Sequence, residues 1–283
     1  MMNILTFDIE EWFHILDNDS TKTINEWNHY ESRIYANMER IFNLLEAAQV
    51  KATFFCLGWI AETYPEIIKE IVKRGYEIGT HTTAHQLVYE QAPKIFSSDL
   101  ERSVKTLEDI TGQKVKCFRA PGFSIREDSR WVFDILVSQG IEIDSSIFPA
   151  ARAHGGFPSY KAIAPAMIQY DGIFLKEFPI NYTTIFGRPL IYSGGGYFRL
   201  FPYSYIKHWT KETSYLMTYF HPRDFDAEQP VIKSLSHLRR FKSYVGLSSA
   251  FKKLQKLLAD FDFIDIAEAD KLIDWEKART ITV

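Results

Sequence analysis

Short runs of apolar residues alternate along this chain with longer stretches in which apolar positions recur every three or four residues. The short runs read as buried strands and the longer stretches as helices with one apolar face. In order, the pattern predicts a strand over Asn3–Ile9, a polar and aromatic loop over Trp12–Tyr30, and a helix over Ile34–Ala48 with Met38, Ile41, Leu44 and Leu45 on one face. A strand over Ala52–Leu57, a helix over Ile60–Arg74 closed by Gly75, and a strand over Tyr76–Gly79 come next. Then follow helix Ala92–Thr111 with Gly112 as C-cap, strand Val115–Arg119, helix Ser129–Gln139 ended by Gly140, and strand Ile141–Ser145. Such repeated strand, helix, strand order predicts an α/β fold, a parallel sheet or barrel with right-handed crossovers.

The alternation breaks at Phe148–Pro202, which is rich in Gly, Pro and aromatic residues, and Ile168–Phe174 reads as a hairpin about Asp171-Gly172. Its apolar residues are too scattered for a core of their own. The reading is therefore one domain over 1–283 with an insertion at about 148–202 over the barrel mouth. Regular elements resume with a helix over Tyr203–Thr213, a strand over Tyr215–His221, a basic helical stretch over Lys233–Leu258, a strand over Asp262–Ile266 and a short final helix.

Composition narrows the function classes. The chain has 283 residues, 46% of them hydrophobic and 24% charged, so it can bury a sizeable core, and its net charge of -3 makes nucleic acid a poor partner. No apolar run approaches the roughly 18 residues of a membrane-spanning helix, so no transmembrane segment is expected. The first residues lack a basic region and turn acidic at Asp8, Glu10 and Glu11, unlike a secretory signal. Cys56 and Cys117 sit in strand-like segments without metal or redox spacing. The expectation is a cytoplasmic protein with reduced, buried thiols; its oligomeric state is left open.

Four strand ends carry chemistry. Alternation puts Asp8 and Glu10 on the same side of an extended segment. His81 and His85, four residues apart, would share one face of a helical turn and suit one metal ion. Arg119 leaves a strand into the Pro121-Gly122 turn, where a guanidinium can pair with a carboxylate, and His221 closes an apolar strand. Separately, each has an ordinary structural explanation. Together, one carboxylate and two histidines make a zinc set with an open position for water, leaving a carboxylate as base and His221 as acid.

The ordered series Thr6-Phe7-Asp8-Ile9-Glu10, His81-Thr82-Thr83-Ala84-His85, Arg119-Ala120-Pro121-Gly122 and Phe220-His221-Pro222 resembles the polysaccharide deacetylases of the NodB-homology type, carbohydrate esterase family 4. The variant details around Glu11-Trp12-Phe13-His14, Asp144–Pro149 and Ser193–Arg199 resemble a cytoplasmic branch found with capsule, exopolysaccharide and O-antigen clusters. That resemblance implies a distorted (β/α)7 barrel and a divalent metal, usually zinc. It makes Asp8 the counterpart of the base, His81 and His85 of the metal ligands, Arg119 of the residue orienting the base, and His221 of the general acid. The family's Asp-Asp pair becomes Asp8-Ile9-Glu10 here, so the third ligand is assigned to Glu10, with Glu11 as the alternative. Asp144 stands where the family often has an acidic residue tuning the acid histidine. A backbone N–H near Gly122 would help hold the oxyanion, and Trp12 and Tyr197 join it as candidate substrate contacts. For Ser193–Arg199 a binding role and a plain loop both stay open.

The function expected is metal-dependent N-deacetylation of an N-acetylated sugar in surface-polysaccharide synthesis. Hydrolysis of another C–N amide, as in allantoinase-like relatives, is the alternative enzyme reading. An inactive sugar-binding scaffold is a third.

Overall fold

The computed structural model describes residues 1–283 except residue 17 and residues 152–154. In chain order its elements are β1 (Met2–Ile4), β2 (Thr6–Ile9), α1 (Ile24–Trp27), α2 (Ile34–Ala48), β3 (Thr53–Cys56), α3 (Gly58–Thr63), α4 (Pro65–Lys73), β4 (Glu77–Thr80), α5 (Pro93–Thr111), β5 (Cys117–Phe118), α6 (Val132–Ser138) and β6 (Ile143–Asp144). These are followed by β7 (Ala166–Tyr170), β8 (Ile173–Glu177), β9 (Thr183–Ile185), β10 (Arg188–Leu190), α7 (Gly195–Leu200), α8 (Tyr203–Lys211), β11 (Tyr215–Met217), α9 (His237–Tyr244), α10 (Leu247–Asp260), α11 (Ile266–Leu272) and β12 (Thr280–Thr282). The chain divides into two compact units, the first made of Met1–Ala52 and Tyr182–Asp265, the second of Thr53–Asn181 and Ile266–Val283.

In the second unit the strands lie in the order β12, β7, β8, β6, β5, β4, β3. The pairs β3–β4, β4–β5, β5–β6 and β6–β8 are parallel. The helices between β3 and β4, between β4 and β5 and between β5 and β6 supply the crossovers expected of alternating β and α patterning. Gly79 shows how tightly β4 is held, since a Cβ there would fall 2.6 Å from the Phe55 ring and 2.9 Å from the Cys117 carbonyl oxygen. The hairpin expected about Asp171-Gly172 is present, with β7 and β8 antiparallel and both turn residues at positive φ (45° and 84°). This is the left-handed geometry that two-residue hairpins require. Through β8–β6 pairing, this part of 148–202 supplies strands of the unit's own sheet.

The first unit is built on parallel pairing of β1 with β11, in which Asn3 faces Leu216. Bridges continue it at Phe7–Phe220 and Ile4–Ile264. The helix α2 buries Met38, Ile41, Leu44 and Leu45, the apolar stripe read from the sequence.

Several boundaries differ from expectation. The helix expected over Ile60–Arg74 is two helices, because Pro65 starts α4 and disfavours helical geometry at Tyr64. The basic stretch Lys233–Leu258 is likewise divided at Gly246, which takes φ 71° between α9 and α10. In place of a strand over Asp262–Ile266 there is a single bridge at Ile264, and Ile266 already starts α11. The strand β12, paired with β7, was not expected. No helix among the described residues is long and apolar enough to cross a membrane.

Candidate functional site

In the first unit the parallel register does the positioning. The Asp8 N–H donates to the Phe220 carbonyl at 2.7 Å and the Phe220 N–H to the Thr6 carbonyl at 3.2 Å. The Thr6 N–H also donates to Thr218 Oγ1 at 2.9 Å, pinning the two segments side by side. Asp8, Glu10 and His221 therefore leave neighbouring strands at the same edge. His221 Nε2 lies 3.7 Å from Glu10 Oε1 and 3.9 Å from Asp8 Oδ2. One ligand atom from each of these three residues lies within 4.8 Å of the others, a spacing that suits one cation as well as a proton.

The other face of the His221 ring is occupied. Nδ1 lies 3.1 Å from Asp224 Oδ2, and the same carboxylate accepts the His221 backbone N–H at 3.0 Å. Asp224 in turn faces Arg199, with Nε 3.2 Å from Oδ1. Arg199 also donates from Nη1 to the Ser243 carbonyl at 2.6 Å and from Nη2 to the Lys242 carbonyl at 3.0 Å, so it closes the end of α9. Burial pulls the His221 pKa down, but Glu10, Asp224 and Asp8 outweigh it and raise it to about 9. Burial alone would raise Asp224; the charge of Arg199 and the hydrogen bond with His221 hold it down at about 2. With Nδ1–H committed to Asp224, Nε2 points to the carboxylates.

Glu11 and Trp12 are committed elsewhere. The Glu11 carboxylate accepts backbone N–H groups of Arg33 at 3.0 Å and Ile34 at 3.1 Å, as well as the Ser32 hydroxyl, capping the start of α2. Trp12 is buried, its indole N–H donating to the Glu31 carbonyl at 2.9 Å and its ring edge-on to Phe13 and Tyr30. It packs in the core instead of offering a ring to substrate, which corrects the expectation of a substrate contact. Tyr197 does expose its ring, which stacks on Phe201.

In the second unit His81 and His85 follow β4, with ring centroids 5.3 Å apart. They do not sit on a helical turn. The segment is irregular, with Thr82 at φ 66° and His85 at φ 51°. Its shape comes from Asp99 on α5, whose carboxylate accepts the Thr83 N–H at 2.8 Å and the Ala84 N–H at 3.1 Å. The His81 Nδ1–H donates to the Arg119 carbonyl oxygen at 2.7 Å, which fixes the orientation of the ring. This is the arrangement that orients a metal-binding imidazole.

Arg119 is fully buried. It donates from Nε to the Ser145 carbonyl at 3.1 Å and from Nη2 to Ser145 Oγ at 2.9 Å, with its guanidinium 4.2 Å from the centroid of the Phe55 ring. Gly122, at φ 63°, lies in the tight turn that follows. Asp144 is buried as well, with Ser146 and Glu177 as its hydrogen-bond partners. Burial raises it to about 6, and burial together with the facing Asp144 carboxyl also holds Glu177 well above the usual carboxylate range. Within the first unit the carboxylate on the His221 ring is Asp224, a residue that the resemblance does not single out. The spacing His221-Pro-Arg-Asp224, a capping-box pattern, was the signal for it.

The class defined here is an α/β protein whose first unit brings Asp8, Glu10 and His221 close enough to hold one cation. Residues 26–136 match the family model of polysaccharide deacetylases, and residues 145–271 match a domain of unknown function, DUF3473. A Bacillus cereus peptidoglycan-N-acetylglucosamine deacetylase is 28% identical over 38% of this chain and 43% of its own length. A Helicobacter pylori peptidoglycan deacetylase is 29% identical over 43% of this chain and 39% of its own length. The matched stretch therefore spans less than half of either relative. The crystal structure of a provisionally assigned polysaccharide deacetylase from Mycobacterium smegmatis aligns with a TM-score of 0.67 at 17% identity, covering 100% of this chain and 93% of that one. A family 4 carbohydrate esterase from Streptomyces lividans, solved with acetate, aligns at a TM-score of 0.50 and 11% identity, covering 93% of this chain and 91% of its own. These likenesses show the fold class expected from the sequence, a distorted (β/α)7 barrel. The family model and the relatives support the polysaccharide deacetylase family for this chain.

Proposed function

We propose that the protein is a metal-dependent N-deacetylase that hydrolyses the acetamido group of an N-acetylated sugar in surface-polysaccharide synthesis. The observation that carries this reading is His221, held on one side by Asp224 at 3.1 Å and presenting Nε2 to Asp8 and Glu10 on the other. The deacetylase relatives support the substrate class.

His81, His85 and Glu10 would hold a divalent ion, with zinc as the first choice. Two imidazoles and one carboxylate are a donor set that zinc takes; His81 Nδ1 lies against the Arg119 carbonyl, and Glu11 is ruled out as the carboxylate by its hydrogen bonds to the start of α2. The bound ion would supply Lewis-acid polarisation and a more acidic water. Asp8 takes the proton of the attacking water as its oxygen bonds to the acetyl carbon. The C–N bond then breaks, His221 gives the Nε2 proton to the departing amine, and acetate and a free amino sugar leave. Arg119 acts as a positioning residue. The proposal includes a cytoplasmic location, in keeping with the acidic start of the chain at Asp8, Glu10 and Glu11.

The test is acetate release from a panel of acetamido sugars, sugar nucleotides and glycan fragments, using purified protein stripped of metal and reloaded with zinc. Release that needs zinc and stops in Asp8→Asn is the expected result. No release from any member would overturn the reading.

A further inference from the structure

We propose that the surface formed by α7 and α9 docks on an anionic phospholipid membrane. The helix α9 has no buried residue, and Leu238 and Phe241 are 65% and 55% exposed. Three residues apart on a helix, these two side chains share one face. The helix is nonetheless fixed, because Arg199 on α7 holds its last carbonyls at 2.6 and 3.0 Å. On α7 itself Tyr197 and Leu200 are 47% and 43% exposed. Isolated exposed apolar residues are ordinary; a group of them on two packed helices marks an interaction surface.

Charge selects the occupant. From Val231 to Ala259 the sequence holds seven Lys and Arg residues and no Asp or Glu, although the whole chain has a net charge of -3. Lys233, Lys242 and Lys252 are exposed, with no ion pair among the described residues. Apolar side chains flanked by flexible lysines are the pattern of a helix lying in a headgroup layer, where the apolar tips enter and the ammonium groups meet lipid phosphates. A helix with no buried residue offers a convex ridge, which suits a fluid interface better than a shaped protein pocket. Lys253 is excluded from this surface, since its ammonium donates to the carbonyls of Arg199 and Phe201 at 2.6 and 2.8 Å.

The inference is independent of the deacetylase reading, because binding is measured without turnover. The full chain is floated with vesicles of phosphatidylcholine alone and of phosphatidylcholine with phosphatidylglycerol, at low and high salt. Binding to the anionic vesicles only, weakened by salt, is expected, and Leu238→Asp, Phe241→Asp and Lys242→Glu should each lower partitioning about tenfold with unchanged circular dichroism. Equal, negligible binding to both vesicle types would overturn the proposal whatever the variants do. So would full binding by the Leu238→Asp/Phe241→Asp double variant, or a protein dimer that the same substitutions dissolve.

Discussion

His221 Nδ1 and Asp224 Oδ2 lie 3.1 Å apart, three residues from each other in the chain. The carboxylate fixes the ring so that its free nitrogen faces Asp8 and Glu10, and Arg199 backs the carboxylate with a charge of its own. Asp224→Asn should therefore lower kcat by roughly 10- to 100-fold with little change in KM, because proton transfer suffers and sugar binding does not. Asp224→Glu should recover part of the loss. Steady-state kinetics on an acetamido substrate checks this; a change confined to KM would refute a positioning role.

The buried pair Asp144 and Glu177 gives a stability prediction with the opposite sign to an ordinary salt bridge. Burial raises both carboxyls, Asp144 to about 6 and Glu177 with the facing Asp144 carboxyl adding to it, so the folded state holds protons that the unfolded chain releases. Stability from this pair is complete at low pH and declines as pH rises through the folded values. Glu177→Gln removes one titrating member while keeping its shape. The variant should lose less stability than the parent between about pH 5 and pH 8, as read from urea unfolding at the two values.

What the sequence disclosed is local; what it hid needed partners distant in the chain. Helical periodicity located α2 and α5, and Asp171-Gly172 announced its hairpin. The loop holding His81 and His85 departs from the helical turn that their spacing predicts, because spacing carries no information about the positive φ of Thr82 and His85 or about the Asp99 carboxylate that shapes it. Glu177 gave no sign, since Asp144 lies 33 residues away and the contact depends on β6 pairing with β8. Pro65 and Gly246 are breaks of another kind, local in the chain, yet the apolar periodicity on either side of each led to single expected elements over Ile60–Arg74 and Lys233–Leu258.

Arg33 and Asp226 should control acid stability. Burial raises Asp226, but hydrogen bonds from Arg33 and Asn37 together with the Arg33 charge hold its pKa below the usual range. Arg33 Nη2 donates to Asp226 Oδ1 at 3.0 Å, and Asn37 donates to Oδ2 at 3.3 Å. This contribution is present above the unfolded-state pKa near 4 and is lost as pH falls through the depressed folded value. Asp226→Asn should cost about 1–3 kcal/mol at pH 7, discounted for the partly exposed Arg33, and should flatten the acid limb of the stability curve. Thermal unfolding of both proteins between pH 7 and pH 3 measures it.

The metal assignment separates three groups that stand close together along two strand ends. Glu10 has a side-chain oxygen 3.7 Å from His221, whereas Glu11 spends its carboxylate on the α2 backbone. Glu11→Gln should therefore keep the metal and lose about 1 kcal/mol of stability, the size of a helix-cap effect. Glu10→Gln should lose most of its zinc while melting close to the parent's metal-free form. His221 is the ambiguous member, because Asp8, Glu10 and His221 are near enough to hold an ion by themselves. If the histidine is the acid, His221→Ala retains stoichiometric zinc and loses about 10² to 10⁴ in kcat on an amide, but less on an activated ester whose departing oxygen needs no proton. Zinc loss in His221→Ala, with retention in His81→Ala, would move the ion to the carboxylate pair and His221, and would end the assignment of His221 as the acid.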